Sequence, residues 1–191
     1  MTTTLIILGL FVFLTLLVIG IVVATYNRLV ALRQTTHQAW SDVDVQLKQR
    51  HDLVPNLVET VKGYAGHERG TLDAVIQARN AAITARGPEA AGAAEGQLGA
   101  ALGRLFALSE AYPELKANTN FLQLQGELGD IENKIAAARR FYNASVSEYN
   151  AMRESFPAVL FAPALGFQER GFFEVPEAER AAIQAAPQVK F

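Results

Sequence analysis

Twenty consecutive positions, Leu5 to Ala24, carry no polar side chain except Thr15, and sixteen of them are Leu, Ile, Val or Phe. At a rise of about 1.5 Å per residue the run is about 30 Å long, the thickness of a hydrocarbon core. A soluble helix keeps a polar stripe. This run has none, so it predicts a transmembrane helix rather than a buried core helix. A cleavable leader is the competing reading, because Val22 and Ala24 suit a cleavage site. No Lys or Arg precedes the run, however, and it is longer than the apolar core of most leaders. Arg28 and Arg33 follow the span before the first acid, Asp42. The positive-inside rule then puts residues 1–4 outside and the body of the chain in the cytoplasm.

Beyond Ala24 the pattern changes period without a stop signal. Apolar or small residues recur at Leu29, Leu32, Thr36, Ala39, Val43 and Leu47, the spacing of a helical seam. One helix is therefore expected from the span to about Asp52. Pro55 is expected to turn the chain, because proline disfavours the α region before it and suits the first turn of a new helix. A second helix would bury Leu57, Val61, Tyr64, Leu72, Val75 and Ala82, weakened near Gly63, Gly66 and Gly70 and ended by Gly87-Pro88.

From Ala85 to Gly103, twelve of nineteen residues are Ala or Gly. Gly92, Gly96, Gly99 and Gly103 read as the close-packing face of a third helix, with a mobile loop or a binding surface as the alternative. Leu98, Leu102, Leu105 and Phe106 supply its apolar face up to Tyr112-Pro113. The clearest seam runs Phe121, Leu124, Leu128, Ile131, Ile135, Ala138, Tyr142, Ser145, Tyr149, Met152. It predicts a fourth helix capped by Asn118 or Thr119 and ending near Ser155. Four of the seven prolines fall in the tail, together with Phe156, Phe161, Phe167, Phe172, Phe173 and Phe191. Disordered tails are poor in aromatics, so these rings are expected to cover the bundle, with membrane-surface contact or a partner site as the alternatives. A short helix is expected over Glu177–Ala186.

Composition narrows the chemistry. With 17 basic and 19 acidic residues the net charge is −2, which is not the footprint of a nucleic-acid binder. The absence of cysteine excludes disulfides, thiolate metal sites and Cys nucleophiles. His67-Glu68 is not a zinc-protease motif, because Thr71 stands where a second His would be needed. His37, His51 and His67 are too far apart along the chain to suggest a metal site. No catalytic, cofactor-binding or metal residue is assigned. A polar block remains as a candidate interaction surface: Asp44, Gln46, Lys48, Arg50, Asp52, Asn56, Glu59, Lys62, His67 and Glu68. The plainer reading is a solvated face with ion pairs such as Glu59–Lys62 and Lys48–Asp52, each contributing only about 0.2–0.5 kcal/mol. Asp44 and Asn56 stand out, because the expected turn would set them on either side of it.

Tyr26-Asn27-Arg28-Leu29-Val30, Ala39-Trp40, the run from Asp44 to Arg50, Asp52-Leu53-Val54-Pro55-Asn56-Leu57-Val58 and Val61-Lys62-Gly63-Tyr64-Ala65 with His67-Glu68 closely resemble the bacterial LemA family. Tyr142-Asn143, Tyr149-Asn150 and Phe156-Pro157 are similar to its C-terminal half. The resemblance implies a single-pass protein of the bacterial inner membrane with an outward N-terminus. It also implies a bromodomain-like, up-and-down four-helix bundle with mirrored twist. It implies no established catalysis, and gene neighbours such as membrane peptidases that suggest envelope or membrane-protein quality control.

The expected organisation is thus all-α: residues 1–4 outside, a transmembrane helix over 5–24, the bundle over 25–156 and a Pro/Phe-rich segment over 157–191. The expected function is a non-enzymatic, membrane-anchored interaction or scaffold module. The alternatives are a sensor transmitting through the first helix and a hydrolase using His67 and Glu68. Expected partners are the lipid bilayer, a membrane protein (a membrane peptidase among the candidates) and a second copy of the chain in a homo-oligomer. Nucleic acid and cofactors are not expected.

Overall fold

The computed structural model describes residues 2–174. Among them every regular element is helical: α1 (Thr2–Ala65), α2 (Arg69–Thr84), α3 (Pro88–Ser109), the single turn α4 (Pro113–Lys116), α5 (Thr119–Glu154) and a 3₁₀ turn, Ala158–Leu160. The chain divides into two compact units. One joins residues 2–39 to Asn143–Arg170, and the other joins Trp40–Tyr142 to residues 171–174. The expected helix at Glu177–Ala186 and the ring of Phe191 lie outside the described residues.

The second unit is an up-and-down four-helix bundle, built from the distal part of α1, from α2 and α3, and from the first part of α5. Short connections between successive helices impose antiparallel neighbours. Its core takes Val54, Leu57, Val58 and Val61 from α1, Leu72 and Val75 from α2, Leu98, Leu102 and Leu105 from α3, and Phe121 and Leu128 from α5. Leu115 of α4 is fully buried beneath the connection. Asn118 caps α5 as expected, its Oδ1 accepting the Phe121 N–H at 3.0 Å. The seam assigned to α5 is also correct: Phe121, Leu128, Ile131, Ile135, Tyr142, Ser145 and Tyr149 are all buried.

The expected turn at Pro55 does not occur. α1 runs through Pro55 and ends at Ala65, and the reversal falls at Gly66-His67-Glu68. A proline inside a helix removes a backbone hydrogen bond and costs about 3 kcal/mol. Here the carbonyl that loses its donor is that of His51, four residues back. Arg79 of α2 supplies the missing bond, its Nε–H donating to the His51 oxygen at 2.7 Å. Burial of Val54, Leu57, Val58 and Val61 around the proline offsets the rest. The seam itself carried this information. Val43, Leu47, Arg50, Val54, Leu57 and Val61 continue its spacing straight across Pro55.

In the first unit, α1 between its apolar run and Ala39 lies against α5 from Asn143. Leu29, Leu32 and Tyr149 form a core with Ala158, Ala162 and Phe167 from the chain beyond α5. Arg28 pairs with Glu148. The Phe156–Pro157 peptide is cis. Gly166, at φ 79°, takes a left-handed conformation that other residues rarely adopt, and it turns Phe167 back onto Tyr26, 5.5 Å between ring centroids. The side chains of Leu5 to Ile21 are exposed among the described residues, with Leu5, Phe11, Phe13 and Leu16 each more than 60% exposed. α1 is the one helix among the described residues long and apolar enough to cross a membrane.

Candidate functional site

The bundle unit buries a charged cluster in a mainly apolar interior. Arg50 occupies a seam position of α1 and is 6% exposed, and His51 beside it is 8% exposed. Glu95 occupies the matching seam position of α3, between Ala91 and Leu98, and is 4% exposed. One Glu95 oxygen accepts from Arg50 Nη1 at 3.2 Å, and the other meets His51 Nε2 at 2.5 Å. With Glu95 ionised, Nε2 carries the proton and donates. Arg50 also reaches Glu132 of α5, 3.3 Å away and largely exposed. The His51 backbone carbonyl takes the Arg79 hydrogen bond. The cluster therefore ties α1, α2, α3 and α5 together. Removing one partner would leave an uncompensated buried charge, which destabilises a fold far more than the intact pair stabilises it.

Arg50, Glu95 and Glu132 of this cluster, with Arg139, line a groove of about 740 Å³ between α3 and α5. Its walls are Gly96, Gly99 and Gly103 of α3, Gln125 and Gly129 of α5, and the apolar side chains of Phe106, Leu128 and Ile135. The stripe of small residues thus has two roles. Gly92 does allow a close approach: a Cβ there would stand 2.1 Å from the Glu174 carbonyl oxygen. A Cβ at Gly103 would meet nothing within 4 Å, so that glycine hollows the surface rather than packing it.

Of the ten residues assigned to an interaction surface, only Arg50 lies at this groove. Because α1 does not turn at Pro55, Asp44 and Asn56 do not flank a hairpin. They sit 12 positions apart on one helix, about 18 Å along its axis, and both are exposed. Lys48, Asp52, Glu59 and Lys62 are exposed along the same rod. Glu59 and Lys62 pair at 3.1 Å, while no ion pair joins Lys48 to Asp52 among the described residues. Asp52 borders a shallower hollow of about 380 Å³ with Glu127, Asp130 and Lys134. Gln46 is half-buried, and its Oε1 has no donor among the described residues. His67 is exposed in the α1–α2 turn, and Glu68 accepts a hydrogen bond from the Tyr112 hydroxyl at 3.3 Å. The sequence reading missed Glu95 altogether. Its signal was present, since it is the sole acid between Glu89 and Glu110 and it falls on the Ala91, Leu98, Leu102, Leu105 face.

The paired polar residues of α5 hold the returning chain. In the first unit, Tyr149 Oη donates to the Gln168 carbonyl at 2.8 Å. Asn150 bonds Arg170 twice, accepting its N–H at 3.1 Å and donating to its carbonyl at 2.9 Å. His37 Nε2 accepts from the Arg170 guanidinium at 2.7 Å. Desolvation, then the charges of Arg170 and Arg33, hold the His37 imidazole below its ordinary pKa. In the second unit, Tyr142 Oη donates to the Gly171 carbonyl at 2.9 Å, and the rings of Trp40, Tyr142 and Phe173 cluster. The tail rings thus divide: Phe167 and Phe173 are buried, while Phe156 is 80% exposed.

Comparison with known proteins gives a family and relatives. The family model described as the LemA family matches residues 39–191. Magnetosome protein MamQ 2 of Paramagnetospirillum magneticum is 26% identical over 175 residues, covering 78% of this chain and 64% of its own length. Magnetosome protein MamQ of Magnetospirillum gryphiswaldense matches to the same extent, so the match spans just under two thirds of these relatives. Protein LemA of Metamycoplasma hominis is 26% identical over 184 residues, 92% of this chain and 83% of its own.

Proposed function

The chain belongs to the LemA family, and from that footing we propose that it is a membrane-anchored interaction module, without catalysis of its own, that binds a membrane protein through its helical bundle. The observation that carries this reading is the groove between α3 and α5. Glycines keep it open, apolar side chains line most of it, and its buried charges, Arg50 and Glu95, are already paired, with Arg139 as a further cation in the lining. Paired buried charges beside an open, mainly apolar slot favour recognition of a partner surface over attack on a substrate. The anchor is the apolar run of α1, inserted with the N-terminus outside and the bundle in the cytoplasm of a bacterial inner membrane. The polar residues Asp44, Lys48, Asp52 and Asn56 on the exposed face of α1 would extend the contact. The LemA resemblance adds envelope or membrane-protein quality control as the setting, with a membrane peptidase among the partners.

Photo-crosslinking groups placed singly at Gln125, in the groove, and at Asn80, on the exposed face of α2, test this in the native membrane. A discrete adduct from position 125 and none from position 80 is the expected result. Equal, diffuse labelling from both would refute the groove as a binding surface.

One observation favours a second reading, transmission of a signal from the span. α1 is a single uninterrupted helix from Thr2 to Ala65. Exchanging Leu5–Ala24 for an unrelated apolar span of equal length separates the two readings. An interaction module keeps its function, whereas a transmitter loses it at normal abundance and folding.

A further inference from the structure

The chain contains a second uncharged stretch. From Ser155 to Gln168 there is no Asp, Glu, Lys or Arg, and the sequence runs Ser-Phe-Pro-Ala-Val-Leu-Phe-Ala-Pro-Ala-Leu-Gly-Phe-Gln. This is the turn that follows α5, and its side chains point two ways. Ala158, Ala162 and Phe167 are buried on Leu29 and Leu32. Phe156 and Leu160 point outward, 80% and 73% exposed, beside the half-exposed Val159 and Leu165. A surface of this kind is costly in water and marks a contact with something apolar.

Its position in the first unit says what that contact is. Leu29 and Leu32 lie five and eight residues beyond Ala24, about 7.5 and 12 Å past the end of the apolar run. Thr25 is buried and Val22 is half-buried, unlike Leu5 to Ile21, so the packed part of the first unit begins where the run ends. Arg28 and Arg33 stand at the same level, and Arg33 lies over the Phe167 ring at 4.9 Å. Apolar side chains at the end of a span, bordered by cations and by an aromatic such as Tyr26, match the chemistry of the headgroup–acyl boundary.

We propose that the turn Phe156–Leu165 is an interfacial anchor, seated with Phe156 and Leu160 in the headgroup–acyl boundary of the same bilayer that α1 crosses. This rests on reading Leu5–Ala24 as a membrane span. The first unit would then have two attachments to the lipid, the span and the turn. The second fixes the rotation of α1 about its own axis, which a lone apolar cylinder leaves free.

The chain has no cysteine, so single labels are unambiguous. The test uses the full chain in phosphatidylcholine–phosphatidylglycerol vesicles, with a nitroxide at Phe156→Cys, Leu160→Cys, Leu14→Cys or Lys62→Cys. Collision rates with oxygen, which partitions into lipid, and with a nickel chelate, which stays in water, are read at each site. The expected oxygen-to-nickel ratio at 156 and 160 is several-fold above that at 62 and approaches that at 14. A ratio at 156 and 160 equal to that at 62, with 14 still lipid-like, overturns the proposal and leaves the span intact. Low collision rates with both reagents at 156 and 160 would mean a protein cover, a second copy or another chain, and also overturn it. A water-like ratio at 14 removes the span and the proposal together.

Discussion

At the scale of single residues, Pro55 and Arg79 form the most informative pair. The proline strips the His51 carbonyl of its helical donor, and a side chain from the next helix replaces it. Arg79→Met should therefore destabilise the bundle by about 1–3 kcal/mol, the range for a carbonyl left unsatisfied out of water. Pro55→Ala restores a backbone N–H, so in that background the same substitution should cost clearly less. Urea denaturation of the four proteins in this cycle measures the difference, and additive effects would contradict the compensation. His37 offers a second test. Its pKa is lowered in the folded chain, so the folded state binds fewer protons than the unfolded one near the ordinary value of 6.5. Stability contributed by neutral His37 is present above that value and is lost as pH falls through the lowered one. His37→Gln should flatten the acid limb of a stability–pH curve, although the exposure of His37 keeps the effect small. Both features escape a reading of the sequence, because a donor supplied from 28 or 133 residues away leaves no local pattern.

Among the elements, α3 shows what periodicity can and cannot disclose. Its existence and apolar face, Leu98, Leu102 and Leu105, followed from spacing alone. The roles of its glycines did not, because a missing side chain looks the same whether another backbone or open space lies above it. Gly92→Ala would force a Cβ against the Glu174 carbonyl. It should lower the thermal midpoint and free the chain beyond Gly171. Gly103→Ala meets nothing within 4 Å and should raise helix stability by about 0.5–1 kcal/mol, as expected for Gly to Ala inside a helix. Calorimetry on the two variants gives opposite signs if this division is right. The misplaced end of α1 has a related cause. Proline is a strong local signal, and here a buried seam and one arginine override it.

For the whole molecule, the sequence disclosed the class, the number of long helices and the long apolar N-terminal helix, because those depend on patterns repeated over many turns. In the cluster of Arg50, His51 and Glu95, the seam positions of Arg50 and Glu95 are visible in the sequence, but their pairing shows only once the partner helix is laid against them. Orientation is a property at this scale too. With the bundle in the cytoplasm, protease should remove residues beyond Lys62 from inside-out vesicles and spare them in right-side-out ones. The reverse pattern would invert the topology. The pairing of the first rod with the last has a consequence for how the chain is made. Arg28 waits for Glu148, 120 residues later. At synthesis rates of about 5–20 residues per second that is an interval of roughly 6–24 s during which the first part of α1 stands at the ribosome with its seam bare. Chaperones or the insertion machinery would be the natural cover during that interval, and a message truncated before the last long helix should yield a product that is degraded rather than a smaller working protein.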